Sequence, residues 1–404
     1  MSHSPDLIRW RADTPGCTER VHLNNAGAAL MPNAVLHEIE SHLRLESRIG
    51  GYEAADERAA ALDQGYRDLA RLVNAEPRNL AVVSSATAGF VAAMSSFDFA
   101  PGDRIVTTRC DYTSNQIQYL SLKRRTGVEV LHAEDLPEGG VDPGSVRSIL
   151  AKGGCRVVAL SWVPTNSGLV QDAAGVGEAA EEFGVPYIVD ACQAVGQIPV
   201  DVKSLRCDYL SATARKFLRG PRGIGFLYAS DRALARGDHP LYVDMRGARW
   251  LEADRYEVAP GATRYEEWEH PTALVLGQAA AVRYALGVGI GRAMRLARAL
   301  ADRLREGLAE VPGVRVLDRG SDRCAIVTAS VEGWDGPAVA DELRRRKINV
   351  VATLREYGVL DFDQKGVASA VRLSPHYYNT VEEVDQALEA VRQIASRRPG
   401  AGTR

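Results

Sequence analysis

The chain has few cysteines and no cysteine pattern: six in 404 residues, at positions 17, 110, 155, 192, 207 and 324, with no Cys-x-x-Cys pair. No histidine stands at metal-ligand spacing from them, so neither a zinc site nor a disulfide framework is indicated, and reduced thiols are expected. The eight histidines are equally scattered; His37 and His42 fall on one helical pattern at a spacing that suits a surface better than a metal. An excess of one charge is also missing. Against 49 Lys and Arg stand 52 Asp and Glu, a net charge of −3, which leaves no electrostatic footprint for nucleic acid. The basic clusters at 123–125 and 344–347 end helical patterns, where cations complement the helix dipole. No apolar run is long enough to span a bilayer, and residues 1–20 are too polar and acidic for a signal or transit peptide. A cytoplasmic protein with no membrane, nucleic-acid or metal partner is expected.

What is present is an ordinary globular composition, 46% hydrophobic and 25% charged, at a length that suits two or three domain-sized units. From Leu80 onward, short β-branched runs at 81–84, 104–108, 128–132, 156–162 and 186–190 alternate with helical patterns. That alternation is the signature of βαβ crossovers, hence of an α/β fold with a mostly parallel sheet and helices on both faces. The first run enters Ser84-Ser85-Ala86-Thr87-Ala88-Gly89 and then an apolar helix. Small residues at a helix N-terminus expose backbone N–H groups to an anion, and the Thr87 hydroxyl adds a donor there; a plain N-cap is compatible with the same role.

The chain is organised around residues 187–228. The run ending at Asp190 puts a carboxylate at the carboxyl edge of a buried strand, where open α/β sheets bind ligands. Lys216 comes 26 residues later, after a second short strand at 208–212 and before Arg219-Gly220-Pro221-Arg222-Gly223, a turn no helix traverses. A carboxylate able to hold a protonated pyridine nitrogen and a lysine able to form an internal Schiff base are the two groups that pyridoxal phosphate requires of its protein.

The motifs D-A-C-Q at 190–193 and T-A-R-K-F-L-R-G-P-R-G-I-G-F-L-Y at 213–228 resemble the fold-type I pyridoxal-phosphate enzymes of the class V aminotransferase and cysteine desulfurase superfamily, and the resemblance spans nearly the whole chain. It implies a seven-stranded sheet sandwiched by helices in a large cofactor-binding domain (31–269), a smaller α+β C-terminal domain (270–404) and an N-terminal segment (1–30) packing near the site. It also implies pyridoxal 5'-phosphate as cofactor and a homodimer with shared active sites. Lys216 would then be the Schiff-base lysine and Asp190 the partner of the pyridine nitrogen. Gln193 and Asn166 would bond the ring oxygen, and Tyr112 would stack on the ring. Ala86, Thr87, Thr213 and Arg215 would surround the phosphate, with Thr272 a further cofactor contact. In V-R-L-S-P-H-Y-Y-N-T, Arg372 matches the arginine that reads the substrate carboxylate through two parallel bonds, and Asn25 and Ala26 lie on the segment that lines the substrate side.

One departure bears on reaction type. In the segment 353–368, where cysteine desulfurases carry the nucleophilic thiol, this chain has no cysteine, and Cys324 falls on a predicted buried strand where a thiol is inert packing. The Gly50-Gly51-Tyr52 joint and the R-K-F-L-R-G-P-R-G segment resemble hercynylcysteine sulfoxide lyases. A lyase acting on a Cβ–S or similar bond of a cysteine-derived amino acid is therefore expected, with an aminotransferase or an epimerase as the alternatives and a non-catalytic cofactor-binding protein behind them.

Overall fold

Near-continuous β-branched runs suit strands buried on both faces, and the computed structural model, which describes residues 4–397, builds its large sheet from them. The ends of the two expected terminal units, residues 1–3 and 398–404, lie outside the described residues. The strands are β1 Leu80–Val83, β2 Arg104–Thr108, β3 Glu129–Ala133, β4 Cys155–Ser161, β5 Tyr187–Asp190, β6 Tyr209–Thr213 and β7 Gly225–Ala229, in the spatial order β1-β7-β6-β5-β4-β2-β3. The run β3-β2-β4-β5-β6 is parallel throughout, and β7 is antiparallel to both β6 and β1. This is the mostly parallel seven-stranded sheet expected from the sequence. Its central strands β5 and β6 are buried at every position. Their side chains alternate between two cores, Val189 and Leu210 entering one and Ile188 and Tyr209 the other.

Parallel register brings the carboxyl ends of β4, β5 and β6 to one edge: Ser161 pairs with Asp190, Asp190 with Ser211, and β6 runs two residues further to Thr213. Helix α1 (Ala86–Met94) starts just beyond β1. The turns after β5 and β6 meet at Gly196, whose φ is +93° and whose Cβ, if it had one, would fall 2.3 Å from the Leu218 nitrogen. Only glycine allows that approach, so the Asp190 turn and the Lys216 turn pack as one unit.

The hairpin β8 (Ala248–Glu252) and β9 (Arg255–Val258) stands inside the stretch 241–269, where the sequence pattern loosens into an apparent loop. A second, antiparallel sheet follows, with β10 Val314–Val316, β11 Val327–Val331, β12 Val351–Leu354 and β13 Ser369–Leu373 in the order β10-β11-β13-β12. The N-terminal segment joins this part of the chain: Val21–His22 pairs with Ile348–Asn349 and Asn24 bridges Ser374. Three further helices are α2 Thr113–Thr126, α3 Thr272–Val288 and α4 Val359–Lys365. Among the described residues no single helix is long and apolar enough to cross a membrane; α3 and Ile290–Ala309 pass that test only together, bent by 78°, and α3 is largely buried in protein.

Candidate active site

The sheet edge carries a cavity of about 160 Å³ lined by Asp190, Lys216, Tyr112, Thr87, Thr213 and Arg215 among others. Asp190 closes one end. Its Oδ1 accepts from the Cys192 backbone at 2.9 Å and its Oδ2 from Asn115 Nδ2 at 3.2 Å; Ser161 Oγ, 3.4 Å from Oδ2, gives its one hydrogen to Asp111 at 2.6 Å. Burial pushes the carboxyl up, while the Cys192 N–H, the nearby Lys216 ammonium and Asn115 pull it back toward the anion. Lys216 stands three residues beyond the end of β6 and is buried. Desolvation lowers its pKa, which raises the share of free amine available as nucleophile or base.

The opposite end is built for an anion. Ser85 is the N-cap of α1, in extended backbone, and its hydroxyl accepts from Ala88 N at 3.0 Å. Thr87 therefore sits inside the first turn rather than capping it, and with Ser84, Ser85 and Ala86 it lines the cavity. Thr213 and Arg215 reach the same wall; the Arg215 guanidinium also donates to the Gly27 carbonyl. Carboxylate, amine and the partly positive N-terminus of α1 thus line one cavity. That is the donor set pyridoxal phosphate takes at its pyridine nitrogen, its aldehyde and its phosphate.

Arg372, on β13, lies in a neighbouring recess and not in this cavity. Its Nη1 donates to Thr165 O at 3.0 Å and to Thr165 Oγ1 at 2.8 Å, its Nε has no partner, and burial brings its pKa down to about 10. Thr165, which sequence reasoning passed over, is the joint between the two spaces and lines both. Its Oγ1 also accepts from Gln193 Nε2 at 2.9 Å. A hydroxyl whose two lone pairs are both taken has only its own hydrogen left to give, so Thr165 is the donor available at this wall. Gln193, expected as a donor to the ring oxygen, has its nitrogen engaged by Thr165 and by Ala26 O at 3.1 Å, and its Oε1 is buried without a partner.

Four expected contacts lie elsewhere. Asn166 does not line the cofactor cavity: its amide donates to Tyr357 O and accepts from Thr353 Oγ1. It lines the neighbouring recess together with Thr165. Asn25 is fully buried, donating to Ser374 O at 2.7 Å and accepting from Tyr378 OH, so it holds the N-terminal segment and touches neither space. Ala26 reaches the site only through its carbonyl on Gln193. Thr272 opens α3 and lines neither space.

The family model described as Aminotransferase class-V matches residues 21–387. A probable cysteine desulfurase of Pyrococcus abyssi is 27% identical over 393 residues, which cover 95% of this chain and 96% of that protein. Probable cysteine desulfurase 2 of Mycobacterium leprae is 28% identical over 411 residues, 96% of each. Among solved structures, the apo cysteine desulfurase of Thermococcus onnurineus superposes with a TM-score of 0.88 at 23% identity, over 98% of this chain and 99% of that one. A cystine C–S lyase in complex with its reaction product, cysteine persulfide, gives a TM-score of 0.83 at 22% identity, over 96% of this chain and 100% of that one. At these identities the two structures speak for the fold.

Proposed function

This chain belongs to the class-V aminotransferase family and takes pyridoxal phosphate as its cofactor, and from that premise we propose that it is a lyase that cleaves the Cβ–S bond of a cysteine-derived amino acid. The observation that carries the reading is the placement of its thiols. The segment 353–368 has none. Cys324 is fully buried, and desolvation pushes its thiol up to about 11. Cys192 lines the cavity beside Lys216 and Asp190, and burial raises its pKa as well. Cys17, Cys110, Cys207 and Cys324 are buried, and the two half-buried thiols, Cys155 and Cys192, both have their pKa raised by burial, Cys192 against the pull of Lys216 and Arg215; none stands on the segment 353–368, and in this reading the sulfur released at Cβ leaves with the product. The relatives named as desulfurases and as a cystine C–S lyase support chemistry at a cysteine sulfur.

Bound at Lys216, the cofactor supplies an electron sink that acidifies the α-hydrogen of an amino acid. The Lys216 amine takes that hydrogen and hands the proton on. Asp190, whose anionic form the Cys192 N–H and Asn115 favour against burial, would hold the pyridine nitrogen, and the N-terminus of α1 with Thr87, Thr213 and Arg215 would hold the phosphate. Arg372 clamps the α-carboxylate. The Cβ–S electron pair departs with sulfur, which is protonated, and the enamine left behind hydrolyses to a keto acid and ammonia.

The same reading has the enzyme as a cytoplasmic homodimer with shared sites. Tyr242 and Trp250 are 88% and 81% exposed, with Leu241 and Met245 beside them, an apolar surface that a second copy would cover. The test is a screen of amino acids and cysteine conjugates for equimolar release of pyruvate and a thiol. Amino-group transfer to a keto acid acceptor with the β-substituent retained would replace the lyase by an aminotransferase, and α-proton exchange with inversion and no keto acid would replace it by an epimerase.

A further inference from the structure

The recess next to the cofactor cavity holds about 350 Å³. It lies between the start of α2, with Thr113 and Ser114, and strand β12, with Tyr357 on its rim. It shares Tyr112 and Thr165 with the cofactor cavity, and Arg372, which lines the recess alone, is bonded to Thr165 at that junction. We propose that this recess receives the S-substituent of the substrate, and that the substrate is a cysteine thioether with a bulky, uncharged S-group. The inference rests on the lyase reading and adds to it the class of thiol that is released.

Size comes first. Free cysteine extends a single heavy atom beyond Cβ, whereas this volume falls in the range that encloses whole small molecules, about 300–1,000 Å³. Charge comes second. Arg372 is the one charged side chain that this chain places on the lining, and the α-carboxylate engages it; the rest of this chain's wall is hydroxyl, amide, aliphatic and aromatic ring. A second charged group on the substituent would lose its hydration there without a counter-ion, while the Tyr112 and Tyr357 rings suit an apolar or aromatic one.

The recess is also a built feature. Asn166 bridges the Thr353 hydroxyl and the Tyr357 carbonyl, and Thr113 Oγ1 donates to Glu356 O at 3.3 Å, so the rim is tied to the large-sheet side at three points. Gly358 lies so close that an added Cβ would fall 2.5 Å from Asn166 Nδ2. The thiol-free segment that begins at Thr353 thus forms the wall of a binding recess. Release needs no oxidant: the α-hydrogen goes to Lys216, the Cβ–S pair goes to sulfur, and sulfur takes a proton to leave as R–SH.

The experiment measures kcat/KM of the holoenzyme for S-benzyl-, S-methyl- and S-carboxymethyl-L-cysteine by pyruvate release. The dissociation constants of the first two are also measured calorimetrically on the cofactor-loaded Lys216→Ala variant. The benzyl conjugate is expected to exceed the methyl one at least tenfold in both readouts, and the carboxymethyl conjugate to be the poorest substrate. In Gly358→Ala the benzyl-to-methyl ratio of kcat/KM is expected to fall at least fivefold. Equal values for benzyl and methyl in the wild type, which requires no variant to fold, would overturn the inference and leave the lyase standing. Pyruvate from none of the three would overturn the lyase and the inference with it.

Discussion

Asn115 joins two buried carboxylates: its Nδ2 donates to Asp190 Oδ2 at 3.2 Å and to Asp111 Oδ1 at 3.2 Å. Asp111 is held in turn by Ser161 Oγ at 2.6 Å, Thr107 Oγ1 at 2.7 Å and Tyr119 OH at 2.9 Å. The amide is therefore fixed from behind and presents a hydrogen to Asp190 whether or not a ligand is there.

This predicts a graded response at the pyridine end of the site. Asp190→Ala removes the charge that keeps the nitrogen protonated and should lower kcat roughly a hundredfold or more, with Asp190→Glu much milder. Asn115→Ala removes one donor and should cost less than Asp190→Ala, with KM nearly unchanged. Steady-state kinetics decide it, and wild-type activity in Asp190→Ala would remove the residue from the mechanism.

Lys216→Ala should abolish turnover, since no other lysine lines the cavity. Borohydride reduction of the yellow holoenzyme followed by peptide mapping should place the cofactor on Lys216. A label on any other lysine refutes the assignment.

That Asp190 and Lys216 meet at one cavity was legible in the sequence, because an acid ending a short buried strand and a lysine ahead of a Gly-Pro-Arg-Gly turn are positions that chemistry and backbone geometry both mark. Thr165 was not. It and Asn166 lie in the turn beyond the strand that ends at Ser161, where no period tells which side chain meets the cofactor cavity, and the bonds of Asn166 to Thr353 and Tyr357 join residues far apart in the chain. The hairpin β8–β9 escaped for a different reason: nearly all its positions are exposed, so no alternation of polar and apolar residues announces it. Helix α4 has seven residues between Gly358 and Gly366, too short a span for the 3.6-residue period to be read.

Two buried histidines predict how stability depends on pH. Burial brings His22 down to about 4, and burial together with the Arg219 charge brings His376 down to about 3. His22 is hydrogen-bonded at 2.9 Å to Ala28 O and His376 at 2.8 Å to Phe217 O. In the unfolded chain both titrate near 6.5. Below that value the unfolded state binds protons that the folded state refuses, so stability is full above about 6.5 and falls with pH, by up to about 1.4 kcal/mol per pH unit for each histidine. Urea unfolding between pH 5 and 7.5 measures the slope. His376→Gln should flatten it, and an unchanged slope in that variant would show that His376 is not its source.

The last prediction concerns the carboxylate clamp. Arg372 donates twice through Nη1 to Thr165, which fixes the plane of the guanidinium, and its Nε stays without a partner in a buried setting. A planar fork held in this way, with Nη2 also donating to Asn24 Oδ1 at 3.4 Å, can meet a carboxylate with two parallel bonds, and the carboxylate would supply the partner that Nε lacks. Lysine keeps the charge but offers a single tetrahedral ammonium, and it leaves Thr165 O and Oγ1 without their shared donor. Arg372→Lys should therefore raise KM and lower kcat/KM by roughly ten- to a hundredfold, about 1.4 to 2.7 kcal/mol of transition-state stabilisation. The loss should be larger for amino-acid substrates than for their amides, which carry no carboxylate to clamp. If Arg372→Lys reduces kcat/KM equally for an S-substituted cysteine and for its amide, the guanidinium reads something other than the carboxylate.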